Sequence, residues 1–246
     1  MKGLIAMVLM ESLKAALIDF PGREYRCDRT LNLYKTPAAE GLVTQAAPGR
    51  QLRILEITRD AAQVCLCEDD YPGWLLTPDL AALSPAQQSY RATPLSATDI
   101  QAQLPQVIRF TQTALAAPNE YLWGGTVAPN YDCSGLVQAA FRSVGIQLPR
   151  DAYQQASFAQ KINRTDLQPG DLIFFGNETK ITHVALYLGN SQYIHSSGKD
   201  QGRNGIGIDS ITDLSHPVSQ TYHAQIKSYG RITRSYSPQA KPILAQ

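Results

Sequence analysis

Three side chains that together can carry out acyl transfer occur in order along this chain: Cys133, His183 and His195. Cys133 lies in Asp132-Cys133-Ser134-Gly135, where an apolar pattern begins. Leu136, Val137, Ala140, Phe141 and Val144 recur at three and four residues, which predicts a helix. Asp132 is placed to cap that helix and Gly145 falls where a left-handed C-terminal cap belongs. The third helical residue is Gly135, so no capping box forms. Gly135 also lets another backbone approach the thiol. A cysteine at a helix N-terminus sits in the positive end of the helix dipole, which favours thiolate. One neutral imidazole can exchange its proton and a second can orient the first. Taken alone, Cys133 reads better as a small buried hydrophobe, the commonest state of a free cysteine.

The elements that must position the histidines follow Pro169-Gly170. Asp171–Phe175, His183–Leu188 and Gln192–Ser196 read as short strands, with Gly189-Asn190 turning between the last two. In the middle strand His183, Ala185 and Tyr187 share one face, and Val184, Leu186 and Leu188 share the other. A plain two-residue turn would put His195 on the face opposite His183, because a one-residue slip flips a strand. A three-residue loop or a bulge is therefore required for the rings to meet.

These motifs occur in a recognisable order. Tyr121-Leu122-Trp123-Gly124-Gly125 precedes the Asp132-Cys133-Ser134-Gly135 segment. Leu148-Pro149-Arg150-Asp151, Pro169-Gly170-Asp171-Leu172, His183-Val184-Ala185-Leu186-Tyr187-Leu188-Gly189 and Tyr193-Ile194-His195 follow it. From about Asp99 to Arg234 the chain resembles the NlpC-type bacterial cell-wall cysteine peptidases. The resemblance implies an α+β fold of papain-like type, its N-terminal helices packed on an antiparallel sheet. It also implies Cys133 as nucleophile, His183 as general base and acid, and His195 as the group orienting His183. Tyr121 would act as an oxyanion donor with the backbone N–H of Cys133.

Composition bounds the rest. The 246 residues exceed what one domain usually needs, and the net charge of +1 gives no electrostatic footprint for nucleic acid or an anionic membrane. Leu4–Met10 is far too short an apolar run to span a membrane and lacks a small-x-small cleavage site. A cytoplasmic protein is the expectation, with export to the cell envelope as the alternative. Cys27, Cys65, Cys67 and Cys133 form neither a disulfide framework nor a paired metal set. Cys65 and Cys67 are expected to pack on one face of a strand, with zinc a minor reading, and no cofactor or metal is called for. His216 reads as a loop residue and His223 as a satisfied structural histidine.

Residues 1–19 form an N-terminal extension and 20–83 a first domain. In the latter, Leu31–Tyr34, Leu42-Val43, Gln51–Ile57, Ala62–Cys67 and Trp74–Leu76 are short apolar runs. Turn residues separate them at Pro37, Gly41, Pro48-Gly49, Asp60 and Pro72-Gly73, which indicates a small β-barrel. The Leu-Asn-Leu-Tyr run with the later Gly-Trp-Leu-Leu resembles bacterial SH3-like domains. Residues 84–98 read as a linker, 99–234 as the catalytic domain and 235–246 as a loosely attached tail.

A domain of the SH3-like kind either tethers an enzyme to the cell wall or walls its cleft. The resemblance implies the second, with recognition of a stem peptide that has a free L-alanine amine and cleavage after γ-linked D-glutamate. Tyr71 is the aromatic residue that fits the SH3-like side. Asp151 is the carboxylate that fits the ammonium. The ordinary readings are a solvated turn for Asp70-Tyr71 and a surface ion pair for Arg150-Asp151. Asp132, Ser134, Trp123 and Arg150 join the expected substrate-binding set. The implied function is a γ-D-glutamyl–diamino acid endopeptidase in murein peptide recycling, acting as a monomer. The alternatives are a tethered remodelling hydrolase and a thiol amidase or acyltransferase. A zinc hydrolase with Cys133, His183 and His195 as ligands lacks a separate base and any H-E-x-x-H set. A non-catalytic cell-wall binding protein would have no use for the Cys–His–His set.

Overall fold

Alternating runs become strands in the N-terminal part of the chain, as their period of two requires. The computed structural model describes Leu13 and residues 22–239. The chain divides into two units, 1–92 with 237–246, and 93–236. In the first unit lie β1 (Glu24–Cys27), β2 (Leu31–Tyr34), β3 (Leu42–Ala46) and β4 (Gln51–Ile57). They are followed by β5 (Ala61–Leu66), β6 (Pro72–Leu76) and β7 (Leu83–Pro85). They form one antiparallel sheet in the order β3-β2-β6-β5-β4-β1-β7. Leu31, Leu33, Leu52, Ile54, Val64, Leu66 and Leu75 make its core.

Two boundaries differ from the sequence reading. The segment expected to be a linker from Ser84 begins inside β7, whose Ser84 and Pro85 pair with Arg26 and Tyr25. Proline is tolerated there because β7 ends the sheet. At its other end the same segment contains Ser96, the N-cap of the next helix, in a capping box with Asp99. The expected extension 1–19, with its apolar run, lies outside the described residues, apart from the buried Leu13. Of the expected loose tail, Ser235 and Tyr236 are bonded to Gln147 and Tyr236 stacks edge-on against Phe158. Residues 240–246 lie outside the described residues.

The second unit opens with α1 (Ala97–Ala116) and a hairpin of β8 (Thr126–Val127) and β9 (Asn130–Tyr131). Then come α2 (Cys133–Arg142), α3 (Ala152–Phe158), β10 (Gln160–Ile162), β11 (Leu172–Gly176) and β12 (Ile181–Gly189). β13 (Gln192–Ser197), β14 (Gly205–Ser210), α4 (Pro217–His223) and β15 (Ile226–Arg231) complete it. The antiparallel sheet runs β10-β15-β11-β12-β13-β14.

Its two faces have different partners. Leu172, Phe174, Val184, Leu186 and Ile194 share a core with Leu136, Val137, Ala140 and Phe141 of α2. Ile173, Phe175, Ala185, Tyr187 and Tyr193 pack with Val218 and Tyr222 of α4. The apolar stripe of α2 understates its burial. Every residue from Cys133 to Phe141 is buried, and Gln138 donates to the Leu148 carbonyl at 3.0 Å. His216 caps α4 by accepting from the Val218 N–H at 3.3 Å, so it is not an ordinary loop residue. His223 is exposed at the end of that helix, where the dipole favours a cation, and does not pack as a structural histidine.

Candidate active site

The start of α2 is held by one carboxylate. Asp132 Oδ1 accepts from the Gly135 N–H at 2.7 Å, and Oδ2 accepts from the Gly124 N–H at 2.9 Å. Arg150 closes on both oxygens, Nη1 to Oδ1 at 3.1 Å and Nη2 to Oδ2 at 2.5 Å, and its Nη1 also donates to Ser134 Oγ at 2.9 Å. Gly135 lies against the Gly125 carbonyl, where a Cβ would collide with that oxygen. Gln155 of α3 donates to the carbonyls of Ser134 and Pro149, joining the helix start to the turn that carries Arg150.

The residues of the expected substrate set have the following partners. Arg150 is only 1% exposed, and it pairs with Asp132 rather than lying at the surface with Asp151. Asp132, Ser134 and Arg150 are turned on one another and on backbone groups. Asp151 is half-buried and forms a capping box with Gln154 at the start of α3. Trp123 is 72% exposed. In the first unit, Tyr71 is buried at 4% exposure, so its turn is not the ordinary solvated one. Asp70, before it, has a φ of 54° and bonds to Arg53 at 3.2 Å.

Cys133 is buried at the head of α2, 7% exposed. Burial pushes its thiol up to about 12, and the Asp132 charge adds to the effect. Hydrogen bonds from the backbone N–H groups of Val184 and Ser134 pull it back only in part. Desolvation thus works against the helix-dipole effect that was expected to favour thiolate. The bond from Val184 also sets the sulfur beside the residue that follows His183.

The histidines meet because the strand pair is bulged. Leu186 pairs with Ile194 and Tyr187 with Tyr193, but Gly189 pairs with Gln192, a one-residue shift. Gly189, Asn190 and Ser191 all have positive φ, at 96°, 49° and 62°. This is the bulge that the same-face condition demanded, and His183 Nε2 lies 2.8 Å from His195 Nδ1. Beyond His195, a group that sequence reasoning missed completes a chain. His195 Nε2 is 2.8 Å from Asp209 Oδ2. Its signal in the sequence was a single acid in the apolar strand Gly205–Ser210. Tyr222 was missed too. Its ring lies 4.4 Å from that of His183, centroid to centroid, and its hydroxyl is 2.7 Å from Ser197 Oγ.

The chain of bonds assigns the protons. Burial, and then the neighbouring His195, hold His183 well below the ordinary imidazole value, and burial likewise lowers His195, so both rings are neutral near pH 7. Burial pushes Asp209 up, but the hydrogen bond from His195 and the charge and bond of Arg203 more than reverse this and leave it ionised. A carboxylate only accepts, so His195 Nε2 carries its proton and Nδ1 is the acceptor. His183 Nε2 must then donate, which leaves Nδ1 of His183 as the basic nitrogen. Tyr121 is half-buried, and its hydroxyl is raised by burial and then by the proximity of Cys133, so it is a neutral donor.

All four cysteines are free and buried. Cys65 and Cys67 are packed thiols, Cys65 pushed by burial up to about 11 and Cys67 higher. Among the described residues no group of three or more His, Cys, Asp and Glu could hold a metal ion.

Two stretches of the chain are similar to known families. Residues 118–228 match the NlpC/P60 family, and residues 33–80 match the bacterial dipeptidyl-peptidase Sh3 domain. The murein DD-endopeptidase MepS/murein LD-carboxypeptidase of Escherichia coli K12 is 40% identical over 38% of this chain and 48% of its own. A probable endopeptidase NlpC homolog of Haemophilus influenzae is 44% identical over 31% of this chain and 41% of its own. The probable endopeptidase p60 of Listeria seeligeri is 38% identical over 37% of this chain and 16% of its own. The matched stretch thus spans less than half of each of these relatives.

Proposed function

We propose that this chain, which carries an NlpC/P60 domain behind a bacterial SH3 domain, is a cysteine endopeptidase of cell-wall stem peptides. The bond cleaved is the one between γ-D-glutamate and the diamino acid, in peptides with a free N-terminal L-alanine. The observation that carries the reading is the hydrogen-bonded His183–His195 pair, beside a cysteine at the head of a buried helix.

In this reading of a papain-like fold, the thiol and imidazole are both neutral before attack. As Cys133 Sγ bonds to the γ-carbonyl carbon, its proton passes to Nδ1 of His183, and His195 holds the ring through Nε2. The Cys133 N–H and the Tyr121 hydroxyl donate to the oxyanion. When the C–N bond breaks, His183 gives that proton to the departing amine of the diamino acid. Water then attacks the thioester, its proton going to His183 Nδ1, and the γ-carboxylic acid and the thiol are released.

The Asp151 carboxylate would receive the L-alanine ammonium. A blocked amine would forgo that ion pair. Such selectivity suits recycling of released peptides in the cytoplasm by a monomer. The experiment is digestion of intact sacculi beside free and N-acetylated tripeptide, with mass analysis of the products. Preferential cleavage of free tripeptide after D-glutamate is expected, and Asp151→Ala should narrow the preference. Tyr71→Ala should act in the same direction but more weakly. Equal rates on free and blocked peptides, or preferred attack on sacculi, would replace recycling with remodelling.

A further inference from the structure

Behind His195 the structure holds a second charged pair whose arrangement suggests more than support. Asp209 Oδ2 receives two donors at once, His195 Nε2 at 2.8 Å and Arg203 Nη2 at 2.7 Å. Its Oδ1 accepts from Ser219 Oγ at 3.2 Å. His216 Nδ1 stands 3.6 Å from Oδ1, but that nitrogen already accepts from the Val218 N–H, so it has no proton to give while neutral. Phe175, Tyr193 and Tyr222 pack their rings on the two imidazoles. Of the groups bonded to the histidine pair, Asp209 alone is charged, and Arg203 offsets it.

Arg203 reaches that position across a glycine. A Cβ on Gly207 would strike the Arg203 guanidinium. The Arg203 side chain is partly open to solvent, so it can be displaced without opening the core.

We propose that Asp209 and Arg203 are an opposed pair of positioning residues that set how readily His183 accepts the Cys133 proton. Asp209 fixes the tautomer of both rings and lends negative charge to the imidazole that becomes protonated. Arg203, on the same oxygen, limits how much of that charge is felt. Neither touches substrate, and both act through His195. The inference rests on His183 being the proton partner of Cys133.

The test is the rate at which iodoacetamide alkylates Cys133 in the full chain at neutral pH, read by peptide mass so that no substrate is assumed. Alkylation follows the thiolate, which forms when His183 holds the proton. Asp209→Asn should slow it by about tenfold, because one pK unit of proton affinity is tenfold in the ion-pair population. Arg203→Gln should speed it by a few fold, and Gly207→Ala should do the same with both charges still present. In a His183→Ala background these substitutions should have no effect.

Changes of the same sign in Asp209→Asn and Arg203→Gln, unchanged rates, or effects that survive in His183→Ala would overturn the proposal. If Asp209→Asn does not fold, Gly207→Ala against the His183→Ala background still decides. Failure of the peptidase reading would look different: peptide hydrolysis would continue after Cys133 is fully alkylated.

Discussion

Two of the buried aspartates in the second unit, each clasped by an arginine, have partners of different kinds. Asp132 is bonded by Arg150 and by the N–H groups of Gly124 and Gly135. None of these partners changes charge near pH 7, so the cluster is a fixed clamp on the helix start. Asp209 is bonded by Arg203, Ser219 and His195. One of those partners titrates, so the same acid–arginine pair becomes part of a proton chain. The third partner, rather than the ion pair itself, decides the role.

The largest effect should come from the group both clusters serve. Cys133→Ala is expected to lower stem-peptide turnover by on the order of 10⁴-fold or more in steady-state assays. Because Cys133 is buried and shares the core, a stability loss of about 1 kcal/mol should accompany it in urea unfolding.

Next comes the clamp. Asp132→Ala strands the Arg150 charge in a buried site, and loss of one partner of such a pair costs about 3–5 kcal/mol. Urea unfolding would show a lower midpoint, and an unchanged midpoint would break the contrast with Asp209. His195→Asn keeps an acceptor for the His183 N–H, so turnover should fall by roughly 10–100-fold without vanishing. Rates equal to the unsubstituted chain would remove His195 from the orienting role.

A smaller effect concerns pH. His183 and His195 have folded values below the ordinary imidazole value of 6.5, so the unfolded chain binds more protons as pH falls. Their contribution is complete above pH 6.5 and declines from there toward the lowered folded values, by up to about 1.4 kcal/mol per pH unit for each ring. Stability measured at pH 7.5 and 5.5 should show the decline, and His183→Ala should lessen it. Trp123→Ala should be the mildest change, within about 0.5 kcal/mol in unfolding, because the ring is exposed. A rise in KM there would add the ring to the substrate surface.

The helix start held by the clamp was legible because it is local. A cap at Asp132, a small residue at Gly135 and the helical period all lie within one segment. The His183–His195 meeting was legible as a condition, since strand parity demanded the bulge seen at Gly189. Asp209 was not, because its position depends on the register of a further strand, in which His195 pairs with Gly207. The Arg150–Asp132 pair was not legible because it spans eighteen residues. The burial that raises the Cys133 thiol was not legible, because a dipole can be seen in a sequence and desolvation cannot. Burial of Tyr71 was not legible for the same reason.

The central claim is that Cys133 is the nucleophile, and one titration tests it most directly. The full chain is treated with increasing iodoacetamide, and the modified fraction of Cys133 is read by peptide mass against residual hydrolysis of free stem tripeptide. Cys27, Cys65 and Cys67 are buried thiols of the first unit, which contains no histidine to take a thiol proton, and serve as internal controls. Activity should fall in direct proportion to Cys133 modification while these three remain unmodified. Full modification of Cys133 with hydrolysis undiminished would contradict the account.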